Sequence, residues 1–238
     1  SELSSSILHT PTIRLSSPLL SNLIKESELY MKLECFQHSG TFKARGALSA
    51  TKQITEGDKK FGITAASAGN HAIASAWAAK VEKLSAKVVM QTSANPFRVS
   101  LAETFGAEII MKEDGVATFA EADRLTREEN RTFIHPFEGI NTTLGAAGVG
   151  LELIDDHSDL DAVVVAVGGG GLMSGVAAAV KLKNRNCEVY AVEPIGANSM
   201  SQSIKVGKPI TLNKIDTIAD SLAPPMALSF SYSVCEKF

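Results

Sequence analysis

The stretch Ser39-Gly40-Thr41-Phe42-Lys43-Ala44-Arg45-Gly46 sets a lysine just inside a predicted helix, after the strand-like run Leu29 to Glu34. Gly40 permits a tight approach of the chain, and Ser39 or Thr41 is placed to cap a helix running to about Ile54. Lys43 then lies near the positive end of that helix and two residues from Arg45. Both features disfavour the ammonium, so the pattern predicts a lowered pKa and a partly free amine. A free amine is what a Schiff-base lysine requires. A lone helix lysine is far more often a solvated surface charge, so the reading depends on what other loops supply.

Three loops at predicted strand ends have the composition of ligand-binding turns, which in open α/β sheets gather beyond the carboxyl ends of the strands. Gly168-Gly169-Gly170-Gly171-Leu172 follows the apolar strand Val163 to Val167 and opens a helix. With every Cβ removed, consecutive backbone N–H groups can turn onto an anion at a helix N-terminus. Glu193, at the next strand end, resembles a ribose-binding acid, but no start within 168–171 satisfies the dinucleotide spacing, because Leu172, Met173 and Ser174 occupy required positions. No Gly-Lys-Ser/Thr follows either, so a compact phosphate monoester is the better guest than a nucleotide. Ser67-Ala68-Gly69-Asn70-His71 opens a second helix, with Ser67 as cap, Gly69 for close approach and Asn70 as donor and acceptor; its N–H groups suit a carboxylate. His135-Pro136-Phe137 is the third loop, and by itself reads as a strand terminator.

The elements that must position these loops alternate along the chain. Strands are predicted at 61–66, 87–90, 108–111, 132–135, 162–167 and 188–193. Helices are predicted at 70–81, 96–105, 117–130, 144–155, 171–183 and 198–206. Such alternation implies an α/β fold with mostly parallel sheets, and continuous apolar strands such as Val163 to Val167 imply a sheet buried on both faces. The 238 residues are 45% hydrophobic and 21% charged, with a formal net charge of −3. No basic excess points to nucleic acid, and no apolar run is long enough to span a bilayer. Cys35, Cys187 and Cys235 are widely spaced with no CxxC pair, which, with no signal-peptide pattern, predicts a reduced, cytoplasmic-type compartment.

Taken together, these residues resemble the fold-type II pyridoxal-phosphate enzymes, most closely the threonine/serine dehydratase and serine racemase branch. The marks are Ser39 to Ala47, Ser67 to Ala72, His135-Pro136-Phe137, Gly168 to Leu172 and Val192-Glu193-Pro194, in the family's order across almost the whole chain. The resemblance implies two open α/β domains with the cofactor, pyridoxal 5′-phosphate, in the cleft between them. The large domain would combine residues 1–49 and 139–238, and the small domain would be 50–138. Lys43 would carry the covalent link to the cofactor, Phe42 would lie against its ring, and Asn70 would bond its 3-hydroxyl. Gly168, Gly169, Gly170, Gly171 and Leu172 would hold its phosphate; Ser67, Ala68, Gly69, Asn70 and His71 would hold the substrate carboxylate. The implied reaction turns L-threonine or L-serine into a 2-oxo acid and ammonia, in a homodimer.

Departures from the family pattern shape that expectation. Racemases of the branch carry a serine at the position of Ala68, where it protonates the opposite face of Cα; Ala68 has no proton to give, which favours dehydration. The branch's cation site uses a glutamate at Glu193, a carbonyl at Ala197 and an aspartate where this chain has Ser199; with one carboxylate left, no metal is expected. Ser221 replaces a more usual glycine. A sulfhydrylase or threonine synthase would carry an aspartate after the lysine, where this chain has Ala44. Serine racemase, 3-hydroxyaspartate dehydratase and an inactive binding relative are the alternatives. Family members run on well past Cys235-Glu236-Lys237-Phe238, so the chain is expected to be C-terminally truncated, without the residue that contacts the pyridine nitrogen.

Overall fold

The computed structural model describes residues 5–238. A short antiparallel ribbon, β1 (Thr12–Leu15) and β2 (Leu29–Lys32), brackets α1 (Pro18–Ile24). The strand expected to reach Glu34 stops at Lys32, because a short 3-10 turn begins at Glu34. After it comes α2 (Lys43–Lys52), and the brief α3 (Glu56–Lys59) leads to β3 (Ile63–Ala66) and α4 (Asn70–Val81). Then follow β4 (Ala86–Gln91), α5 (Pro96–Thr104), β5 (Glu108–Lys112), α6 (Gly115–Glu129) and β6 (Thr132–Phe133). The remainder is α7 (Ile140–Asp156), β7 (Ala162–Ala166), α8 (Gly171–Lys183), β8 (Glu188–Val192), α9 (Ser199–Val206) and α10 (Ser229–Lys237).

Strands β5-β4-β3-β6 form one parallel sheet, and β7-β8 a second parallel pair. Alternate residues of the larger sheet feed two cores, as strand geometry requires. Ile63, Val88 and Met90 pack with α4 residues such as Trp77, whereas Ala66 and Val89 pack with Ala122 and Leu125 of α6. The second pair packs Val163, Val165 and Val167 on Val149 of α7, Met173 and Val176 of α8 and Tyr232 of α10. Its other face is open: Val164, Tyr190 and Val192 are 65%, 51% and 52% exposed. The expectation of a sheet buried on both faces is therefore corrected for β7-β8, since no described element covers that side.

Three helices are drawn together by glycines. A Cβ on Gly145 of α7 would lie 2.2 Å from the Arg45 carbonyl of α2, and one on Gly175 of α8 would lie 2.5 Å from the Ala147 nitrogen. Only bare Cα atoms allow such crossings, so α7 lies between α2 and α8. This packing also corrects the start of α7 from Leu144 to Ile140, behind Gly139 at φ 96°. Among the described residues no helix is long and apolar enough to cross a membrane.

Candidate functional site

Lys43 is the first residue of α2. The preceding turn needs positive φ at Ser39 (60°) and Gly40 (72°). Gly40 thus serves backbone conformation, and no atom lies within 4 Å of where its Cβ would be, which corrects the expected close approach. Thr41 supplies the cap-like bond, its Oγ1 accepting from the Lys43 N–H at 3.1 Å, while the buried Ser39 Oγ has no partner.

The Lys43 Nζ donates to the Pro136 carbonyl at 2.6 Å and pairs with no carboxylate among the described residues. Some of the side chain stays accessible, yet desolvation of the amine by burial lowers its pKa to about 8. At pH 7 roughly a tenth of such amines are unprotonated, far more than for a lysine in water. Arg45 is not the cause. It points to the other side of α2, where it is 2% exposed and held by Glu34 and Glu152 at 2.7–2.9 Å. Burial alone would lower the Arg45 pKa, but the bonds and charges of Glu34 and Glu152 outweigh it and raise it. Lys32 continues this network to Glu152 and Asp156 at 2.9 and 3.3 Å.

Two imidazoles lie near Lys43. His71 is 4% exposed and its Nε2 faces the Ile134 carbonyl at 2.8 Å, so that nitrogen carries the proton. Burial, then the nearby Lys43 charge, lowers the His71 pKa to about 3. The His135 Nδ1 accepts from the backbone of Phe137 and Glu138 at 3.2 and 2.9 Å, and burial holds its pKa near about 4. Both rings are therefore neutral near pH 7, and together they brace the turn that presents the Pro136 carbonyl. His135-Pro136-Phe137 is thus more than a strand terminator.

The glycine loop meets the same turn. A Cβ on Gly169 would fall 2.2 Å from the Phe137 ring, and one on Gly171 would fall 2.6 Å from the Phe137 carbonyl. Glu138 accepts from the N–H groups of Phe230 and Ser231 at 2.7 and 3.1 Å, tying the start of α10 to this turn. The backbone N–H groups from Gly168 through Met173 find no acceptor among the described residues, although Gly169, Gly170 and Gly171 are buried. Orphaned donors at the N-terminus of a helix have the chemistry to hold an anion.

The Ser67 to His71 loop ends β3 and opens α4. Ser67 Oγ accepts from Gly69 N–H at 3.1 Å, so it orders the turn rather than capping the helix proper. The N–H groups of Ala68, Asn70 and His71 have no acceptor, and the Asn70 amide has no partner among the described residues. The His71 ring is committed to Ile134, so this residue offers a ligand its backbone and not its imidazole.

These groups match the parts of pyridoxal phosphate. Free N–H groups suit the phosphate, an amine without an acid suits the aldehyde, and the open Asn70 amide suits the ring hydroxyl. The enclosed space beside Lys43, reached by Phe42, His71, Gly171 and Leu172, is only about 10 Å³, room for one water. The fit is one of donor chemistry and not of cavity size.

Glu193 and Ala197 lie elsewhere. Glu193 accepts from Met200 N, Ser201 N and Ser201 Oγ at 2.5–2.9 Å, which makes it the cap of α9. Ala197 is buried, Ser199 Oγ is buried without a partner, and the described residues hold no cluster of three His, Cys, Asp or Glu able to bind a metal. Sequence reasoning missed the Pro136 carbonyl and the Glu138 cap, since a backbone acceptor and a long-range cap leave no motif.

Known proteins resemble the chain over most of its length. A family model described as "Pyridoxal-phosphate dependent enzyme" matches residues 3–237. Phenylserine dehydratase of Ralstonia pickettii is 45% identical over 206 residues, covering 87% of this chain and 63% of that protein. L-threonine ammonia-lyase of Thermotoga maritima is 32% identical over 233 residues, covering 98% and 58%. The solved structure of maize serine racemase superposes with a TM-score of 0.92 at 32% identity, covering 98% of this chain and 70% of that one. The chain thus spans less than two thirds of the length of these curated relatives.

Proposed function

Because the chain belongs to the pyridoxal-phosphate-dependent enzymes, within a group of dehydratases and racemases, we propose that the protein is a lyase that removes water and then ammonia from a β-hydroxy α-amino acid. L-threonine and L-serine are the first substrates to test, and the 45% identical phenylserine dehydratase adds a β-aryl hydroxyamino acid to that class. The observation that carries the reading is the Lys43 amine, acid-free and near pKa 8.

Pyridoxal phosphate, when bound, supplies an electron sink for the charge left when a Cα proton departs. The Lys43 amine would hold the cofactor, and its Nζ would be the base that receives the Cα proton. Neutral His71 and His135 add no positive charge beside that nitrogen, so it keeps its proton affinity without being permanently protonated. The N–H groups of Gly168 to Leu172 hold the phosphate, and those of the Ser67 to His71 loop orient the substrate carboxylate. Phe42 would lie against the ring and Asn70 would bond its hydroxyl. Ala68 has no proton for the opposite face of Cα, which supports dehydration over racemisation. The division into residues 1–49 with 139–238 and residues 50–138 enters this proposal as the two bodies that close on the cleft; the separate cores at the two sheets support it, and α2 packs on both.

The test is an absorbance scan with pyridoxal phosphate beside a Lys43→Ala variant, followed by L-threonine, L-serine and L-threo-phenylserine. A visible band that needs Lys43, with 2-oxo acid and ammonia released from at least one of the three, is the expected result. A band equal in the variant sinks the role of Lys43, and a Lys43-dependent band without ammonia sinks the lyase.

A further inference from the structure

Arg98, on α5, sends its Nη1 to Asp220 Oδ2 at 3.1 Å, joining segments 122 residues apart. Asp220 begins the segment that covers the glycine loop: a Cβ on Gly168 would meet Pro224 at 3.1 Å and Leu222 at 3.3 Å. The same Nη1 also lies over Gly69, where a Cβ would be 3.3 Å from it and 3.8 Å from Cζ. One cation therefore rests on the Ser67 to His71 loop, and one carboxylate, from a distant part of the chain, keeps it there.

The guanidinium is under-used. Its Nε and Nη2 have no partner among the described residues, while the Asp220 side chain is 70% exposed and makes a single contact to it. An exposed ion pair of this kind is weak and exchangeable. The loop beneath offers the N–H groups of Ala68, Asn70 and His71, which are dipoles without formal charge. A carboxylate settling there gains most from a planar cation able to give it two parallel N–H bonds. The absent side chain at residue 69 keeps that approach free.

We propose that Arg98 binds the carboxylate of the amino-acid ligand, and that Asp220 is a built-in competitor that holds the guanidinium over the loop until the ligand displaces it. The inference rests on the functional reading only in placing the ligand's carboxylate at the Ser67 to His71 loop. It assigns opposite roles to the two partners of one ion pair, and that makes it testable.

The experiment measures L-threonine binding by titration calorimetry at low salt, in a Lys43→Ala background that cannot turn the ligand over. Adding Arg98→Ala is expected to weaken binding by about tenfold, the worth of a charge-assisted hydrogen bond. Adding Asp220→Asn is expected to tighten it by about two- to fivefold, the worth of an exposed ion pair no longer to be broken. Unchanged affinity in the Arg98 variant overturns the proposal. So does weakening by Asp220→Asn to match Arg98→Ala, because a purely structural clasp fails alike from either end. Circular dichroism of each variant separates unfolding from lost binding. The functional reading fails on a different signal, the Lys43-dependent band of the otherwise unaltered protein, so the two failures are distinguishable.

Discussion

Replacing Lys43 by Met is expected to stabilise the cofactor-free protein at neutral pH. Methionine fills a similar volume without bringing a charge into the site. In the unfolded chain the amine titrates near 10.5, and in the fold near about 8, because burial penalises the ammonium. The gap of about 2.5 units, 10.5 minus 8, corresponds to about 3 kcal/mol. Against this stands the Nζ bond to the Pro136 carbonyl at 2.6 Å. Losing that bond and leaving the carbonyl unpaired costs about 1–2 kcal/mol. Below pH 8 the variant should therefore be the more stable by about 1–2 kcal/mol. Between pH 8 and 10.5 the unfolded wild-type chain holds a proton that the folded one lacks, so wild-type stability rises with pH in that window. Above it the amine is neutral in both states, the penalty is gone, and the variant becomes the weaker by the lost bond. Urea unfolding of both proteins at several pH values from about 6.5 to about 11 reads the difference, with all other titrating groups shared and cancelling. A difference that stays flat across that range would refute burial as the cause of the lowered pKa.

Two further outcomes test the scaffold behind the lysine. Arg45→Met removes the cation shared by Glu34 and Glu152, leaving Glu152 to Lys32 and Glu34 to the Thr10 hydroxyl, and should cost about 3 kcal/mol in urea unfolding, with part of the loss recovered when Glu152→Gln is added. Gly145→Ala pushes a methyl group toward the Arg45 carbonyl, 2.2 Å from its built position, and should cost about 1–3 kcal/mol as a lowered melting midpoint. The same change should raise the pyridoxal-phosphate concentration needed for the Lys43-dependent band, since α2 carries the lysine.

Where chemistry demands particular residue types, the chain was legible before its fold was known. The limits of α4 and α8 coincide with Asn70–Val81 and Gly171–Lys183, because in each a glycine-containing turn meets an alanine-rich helix. The start of α7 was misplaced by four residues, since Asn141, Thr142 and Thr143 are poor helix formers locally, and it is packing against α2 that winds them. The ribbon partner β1 and the helices α1, α3 and α10 went unseen. The N-terminus of α10 is fastened by Glu138, a contact spanning 92 residues that no local pattern carries. The largest misreading concerned Arg45. Two positions along a helix turn a side chain by about 200°, so neighbours in sequence face opposite sides. The charge expected to press on Lys43 is spent on two carboxylates behind the helix.

That opposition of faces explains how one helix carries two cations with opposite fates. On the buried side Arg45 is saturated, with Glu34 and Glu152 supplying acceptors to Nε, Nη1 and Nη2, and its charge is fixed at any pH the fold survives. On the cleft side Lys43 pairs with no acid among the described residues: its Nζ donates to a carbonyl and lies over the Phe42 ring, and its titratable neighbours His71 and His135 are neutral. An aspartate or glutamate beside Nζ would restore the ammonium and remove the nucleophile. Glu34 and Glu152 are instead held at its back by Arg45, with Lys32 on Glu152 as well, and that network anchors the helix. Burial lowers the Lys43 pKa, and no carboxylate among the described residues pairs with the amine to raise it again. Adding a carboxylate on the cleft side at Thr142, as Thr142→Glu, should raise the Lys43 pKa toward 10.5 and weaken the Lys43-dependent band at pH 7 while leaving it at pH 10.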